Sequence, residues 1–298
     1  MPAERVPGMD HSLYEWSALP NRPRLAWPDN ARLAVGVVIQ LASADEDVTP
    51  GLRAASLLGG LGKRPHPDVP LLAHRAYGHR VGVFRLLDAL ERYGVPATVA
   101  MDVATATRFP FLVDHVLDRG ATIVAAGRSA VDLISEQTAE DVERTYIAET
   151  LDSLERLTGV RPRGWFSPEY SESTRTPRLL AEAGVEYTLD WVNDDQPYRM
   201  TDGLVALPPT YELDDANALL QRKVTIGTYG RMLTDAFDVL YRESSDSGRL
   251  YLLHLRPWIS GQPFRIGQVE RALAHATAHG QIWRASTDDM VQAFLQPA

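Results

Sequence analysis

The chain has 298 residues, 45% hydrophobic and 23% charged, with a formal net charge of −9 and no cysteine. This is globular composition, and it excludes disulfides, thiolate nucleophiles and zinc–cysteine sites. The acidic balance and the lack of a Lys/Arg run argue against nucleic-acid or anionic-membrane partners. The most apolar stretch, 33–42, is too short to span a bilayer. The opening MPAERVPGMDHSLYEW has no apolar signal core, so a cytoplasmic protein is the expectation.

Residues 1–30, rich in Pro, Trp and charge, read as an N-terminal arm, with one domain over 31–298. LAVGVVIQLA (33–42) is a near-continuous apolar run, as in a strand buried on both faces. Residues 43–78 carry many Gly and Pro and read as a long loop. Its GLGKR is no P-loop, because Leu57 and Arg64 stand where that motif needs Gly and Ser or Thr. RVGVFRLLDALERYG then predicts a helix stopped by Gly94, and VPATVAM a strand. FPFLVDHVLDRG predicts a short helix and ATIVAA a strand. The next helix is expected to be capped by Thr138, to bury Ile147, Leu151 and Leu154, and to stop at Gly159. RGWF predicts a strand, TPRLLAEAG a helix opened by Thr176 and Pro177, and VEYTLDW a strand. RMLTDAFDVLYRE, RLYLLHL, RIGQVERALAHATAHG and QIWRAS continue the helix–strand alternation, and a last helix follows Ser286 and Thr287. Such alternation predicts an α/β fold with a parallel sheet, and about seven units suit a distorted (β/α) barrel.

Residues 120–133, GATIVAAGRSAVDL, resemble the segment of the polysaccharide deacetylase (NodB-homology) superfamily that carries its metal-binding histidines. That pattern is roughly Gly-x-Glu-Ile-x-x-His-Gly-x-x-His-x-x-Leu. The chain keeps Gly120, Gly127 and Leu133 but has Ala126 and Ala130 at the histidine positions. An alanine methyl cannot ligate a metal. The family's first motif, Asp-Asp after the first strand, aligns with Gln40-Leu41-Ala42-Ser43, and the nearest acids, Asp45 and Glu46, come a few residues late. GVRPRGWFSPEYSES, LLAEAGVEYTLDWVNDDQPY and LHLRPWISGQPFR resemble the third, fourth and fifth motifs, and the likeness spans roughly residues 24–296. In detail the chain looks most like the metal-independent, allantoinase-type branch. The resemblance implies a barrel with its site at the carboxyl ends of the strands, no bound metal or other cofactor, a small-molecule substrate and a homo-oligomer, dimer or tetramer. Tyr14, Trp16 and Trp27 in the arm look exposed and in need of cover.

His254 ends an apolar strand where a barrel's rim faces the pocket, and imidazole can serve as acid or base. Arg256 could clamp a carboxylate and Trp258 could wall a flat ring. Asp190 and Asp194 lie in a cluster of acids that could create a base near neutrality, whereas Asp195 suits turn bonding. Glu169, after Ser167-Pro168, is a candidate pocket acid. Ser129 has no nucleophile elbow around it. His66, His74 and His79 show no metal spacing. His275 and His279, four apart on a helix, could bind metal but lack the zincin glutamate, so a solvated face is expected. Three functions follow in order: a metal-independent hydrolase of a non-peptide carbon–nitrogen bond in a small amide, cyclic ureide or imide; a repurposed lyase, cyclase or isomerase; and a non-catalytic binding or scaffold protein. A metal-dependent sugar deacetylase ranks last.

Overall fold

The alternation of apolar residues along the strands builds two cores. The structure, a computed structural model, describes residues 11–43 and 67–296. The first strand, β1 (Leu33–Leu41), is buried throughout. Its odd-numbered residues Leu33, Val35, Val37, Ile39 and Leu41 pack outward beneath the helices. Ala34 and Val38 point inward with Ala100, Val124, Phe166, Leu250 and Leu252. Small inward residues suit a narrow barrel.

The remaining strands are β2 (Ala97–Met101), β3 (Thr122–Ala125), β4 (Gly164–Trp165), β5 (Tyr187–Thr188), β6 (Tyr198–Arg199), β7 (Val205–Ala206), β8 (Arg249–Leu255) and β9 (Ile282–Arg284). They form one sheet in the order β6-β7-β5-β4-β3-β2-β1-β8. β9 pairs with the first half of β1, and β2 with its second half. Among the described residues only β6 and β7 pair antiparallel. Between β7 and β8 the sheet is bridged by loop bonds, Leu250 N to Asp195 O and Thr210 N to Leu252 O, both 2.9 Å. All seven predicted strands are present; β6 and β7, two residues each, are too short to leave a periodic signal.

Helices α1 (Val69–Tyr77) and α2 (Val83–Arg92) are joined by a π-helical turn, Gly78–Gly82. They are followed by α3 (Val103–Arg108), α4 (Pro110–Asp118), α5 (Glu140–Thr158), α6 (Thr176–Glu182), α7 (Ile226–Glu243), α8 (Pro257–Ser260), α9 (Ile266–Thr277) and α10 (Thr287–Leu295). Among the described residues no helix is long and apolar enough to cross a membrane. The helix expected from residue 80 starts earlier, at Val69, because Asp68 accepts a bond from Leu71 N at 3.2 Å and Pro70 favours the first turn. Thr138 is not the cap of α5; its hydroxyl accepts from Ser135 N instead. Trp27 is buried rather than exposed. Its indole donates to Arg249 O at 2.8 Å, so the barrel itself covers it. Tyr14 packs edge-on to Trp191 and Tyr198, while Trp16 stays exposed.

The π-turn lies backbone to backbone on α8. A Cβ on Gly82 would stand 2.1 Å from Pro257 O. Gly82→Ala should therefore force α8 away and destabilise the protein by at least about 1–3 kcal/mol, the usual cost of overpacking. Urea unfolding measures this; an unchanged midpoint would show that the contact is dispensable.

Candidate active site

The strand ends carry a chain of buried polar groups. His254 lies next to the end of β8, inward like Leu250 and Leu252, and is 1% exposed. The edge of Phe166 meets its ring at 4.6 Å. Its Nδ1 is 2.5 Å from Asp214 Oδ2 and 3.0 Å from the Tyr170 hydroxyl. Its Nε2 is buried and has no hydrogen-bond partner among the described residues. Asp214 follows the short turn Tyr211–Leu213. Its Oδ1 accepts from Arg256 Nη1 at 2.6 Å and from Ala216 N and Asn217 N at 2.9 and 3.0 Å. Its Oδ2 also accepts from Tyr170 at 2.9 Å. Burial would push the Asp214 carboxyl up, but His254, Arg256 and the backbone together hold it well below the usual carboxylate range. An ionised Asp214 can only accept, so the His254 proton sits on Nδ1 and Nε2 carries the lone pair.

Arg256 is not the substrate clamp expected from the sequence. It is 4% exposed, and its guanidinium is engaged by Asp214 and, at 3.3 Å, by Asp215. Asp215 in turn accepts from Arg256 N at 2.8 Å and Ser260 Oγ at 2.7 Å. Burial opposes charge on Arg256, but the two carboxylates prevail and keep it protonated. Arg256 is thus a positioning residue for Asp214.

Trp258, at the start of α8, is half-buried. It lies 5.3 Å beneath the Arg75 guanidinium and meets the His74 ring edge-on. Arg75 lies close enough to feel the charges of Glu169 and Arg256, and burial, before either of them, lowers its pKa. Its buried Nε has no partner. Glu169 is exposed on the turn after β4. Glu169 and Tyr170 both adopt left-handed backbone, φ 53° and 57°. Two adjacent non-glycine residues there cost about 1–3 kcal/mol each and mark a constrained site. Buried Glu143 of α5 anchors the far end of this turn, accepting from Ser173 Oγ at 2.8 Å and Thr176 Oγ at 2.5 Å.

The predicted acid cluster divides. Asp190, after β5, accepts from Ser167 N at 2.9 Å, and its carboxyl lies beside that of Glu172. Burial, then the Asp190 charge, pushes Glu172 well above the usual carboxyl range; burial also raises Asp190. The pair therefore holds a proton between them. Asp194 lies outside the site, because Arg22 of the arm grips both its oxygens at 2.7 Å. Asp195 contributes its carbonyl to β8.

Among the described residues, the positions aligned with the ligands of the metal-dependent pattern do not supply a fitting donor set. Ala126 is packed in the inner apolar core, and Ala130 offers its backbone N–H to Ser43 O. The Ser43 hydroxyl bonds Thr105 Oγ1, and Asp102 accepts from Ser43 N and Thr105 N. Asp45 and Glu46 lie outside the described residues. His79 stacks on Phe109, and burial lowers its pKa to about 4.

Asp214, Asp215, Tyr170, Glu172 and Arg75 escaped the sequence reading. Asp214 and Asp215 sit in a stretch without periodicity, and the Asp-Asp pair was the available signal.

The raised Glu172 gives a signed prediction. The folded state holds a proton that the unfolded chain releases near the ordinary pKa, so stability falls as pH rises through the window above it, by at most about 1.4 kcal/mol per pH unit. Glu172→Gln should flatten this loss. Parallel melting-temperature profiles for both proteins between about pH 5 and 8 would exclude the proton pair.

The polysaccharide deacetylase family model matches residues 77–188. The peptidoglycan deacetylase of Helicobacter pylori is 24% identical over 81% of this chain and 92% of its own length. The crystal structure of the allantoinase Puue is 25% identical, with a TM-score of 0.81 over 92% of this chain and 94% of that one. A Pseudomonas aeruginosa structure named as a probable polysaccharide deacetylase is 27% identical, with a TM-score of 0.79 over 92% and 94%. With its curled parallel sheet and strand-end histidine, the chain is similar to the polysaccharide deacetylases over residues 77–188 and, across nearly its whole length, to the fold of the Puue allantoinase.

Proposed function

We propose that this protein is a metal-independent hydrolase of a non-peptide carbon–nitrogen bond in a small amide, cyclic ureide or imide, with His254 as its proton-transfer group. The observation that carries this reading is the unpartnered Nε2 of a buried histidine whose Nδ1 is fixed on ionised Asp214. Nε2 accepts a proton as water adds to the substrate carbonyl carbon. Asp214 stabilises the imidazolium that results, and the proton passes to the departing nitrogen as the carbon–nitrogen bond breaks. The products are a carboxylic acid and an amine or urea nitrogen, so atoms and charge balance. The Glu172–Asp190 pair supplies a second proton reservoir nearby, since Tyr170 feels both Asp190 and Asp214. Arg75, poised over Trp258 with no carboxylate in an ion pair with it among the described residues, suits the anion-binding role better than Arg256.

The alanines at both histidine positions favour a second reading, in which the barrel performs an elimination, cyclisation or isomerisation. Hydrolysis in ¹⁸O-labelled water separates the two, because only a hydrolase places the label in the product acid.

Against a panel of cyclic ureides, imides and amides, activity should survive chelator. His254→Ala and the bulkier His254→Gln should each lose about 10²–10⁴-fold in turnover with the circular-dichroism spectrum unchanged. Unchanged turnover in both variants would remove His254 from the mechanism. Arg75→Ala should raise KM for anionic substrates with kcat nearly preserved. Equal losses for neutral and anionic substrates would contradict its role.

A further inference from the structure

The helical layer outside the barrel brings together three donors that the strand-end chemistry does not use. His275 and His279 stand one turn apart on α9, and Asp238 faces them from α7. Spacing of four residues on a helix puts both imidazoles on one face. One ligand atom from each of the three residues lies within 4.8 Å of the others. This is the one such gathering of three donors among the described residues.

We infer that Asp238, His275 and His279 form a binding site for a divalent first-row transition metal, with zinc as the reference ion, that staples α7 to α9. Four details support it. His279 Nδ1 lies 2.9 Å from the His275 carbonyl oxygen. A carbonyl only accepts, so this nitrogen carries the proton and Nε2 is left bare as a ligand, held in orientation as metal-bound histidines usually are. His275 Nε2 already approaches Asp238 Oδ1 at 2.6 Å. Phe237 packs against both imidazoles, with centroids at 5.4 and 5.0 Å, and restrains their rotation. Finally, tetrahedral zinc at about 2.1 Å from each donor sets the donors about 3.4 Å apart. That separation lies between the existing pair distance and the outer bound, within reach of small side-chain rotations. Two imidazoles and a carboxylate match the preference of zinc, and the half-exposed position leaves room for a water in the fourth place. The solvated helix face expected from the sequence is thus a built site once α7 is folded against it.

Isothermal titration of zinc into tag-free, chelator-stripped full-length protein tests this. One equivalent should bind and raise the melting temperature, and cobalt should give visible bands of low-coordinate geometry. His275→Ala and His279→Ala should each weaken binding by at least about tenfold, the lower range seen even for loss of an outer partner. Asp238→Asn should weaken it while preserving the fold. Turnover of any substrate should be unaffected, because the site faces away from His254. Absence of zinc binding, or binding retained in both histidine variants, would overturn the assignment; the latter would put the ion elsewhere.

Discussion

The arrangement around His254 depends on the buried guanidinium of Arg256. Two adjacent carboxylates, Asp214 and Asp215, are held where water does not reach, 1% and 0% exposed. Alone, either would take up a proton to escape the cost of charge in a poorly polarisable interior. Arg256 lies between them, and Asp214 stays ionised. An ionised Asp214 fixes the histidine tautomer and gives the imidazolium a partner. Removing the arginine would strand both carboxylates, a loss on the order of 3–5 kcal/mol for a broken buried pair. Arg256 thus stands one step behind His254, where it sets the electrostatics of the carboxylate that bonds the imidazole.

The opposite side of the strand ends is largely apolar, with one buried amide oxygen, Gln40 Oε1, lacking a partner among the described residues. Ala126 lies in the inner core, and Ser43, Thr105 and Asp102 satisfy one another. Groups able to carry a proton gather beside His254 instead: Tyr170 and the Glu172–Asp190 pair. The turn that carries Tyr170 and Glu172 is backbone-strained, and Glu143 clamps it through Ser173 and Thr176. Strain kept in place by a buried carboxylate network is the signature of a segment whose geometry matters more than its own stability.

The barrel was largely legible in the sequence because its two longest strands are buried throughout and its helices have clear stops. β1 and β8 read as continuous apolar runs, and Gly159 ends α5 with φ 74° as expected. His254 was legible because a lone titratable residue closing an apolar strand is conspicuous. Asp214 was not, since it contributes through a bond 40 residues away in sequence and sits in a turn that no period announces. Asp194 misled because its neighbours along the chain are acids, whereas its partner in space, Arg22, is 172 residues distant. Trp27 misled likewise: tryptophan in a proline-rich arm looks exposed until the strand it covers is in place.

In the proposed mechanism His254 presents a bare Nε2 while its Nδ1–H is held by Asp214. ¹⁵N NMR of histidine-labelled protein, with His254→Gln used to assign the resonances, reads this directly. The expected spectrum shows a protonated Nδ1 correlated to its hydrogen and an unprotonated, downfield Nε2. A proton on Nε2 would contradict the mechanism.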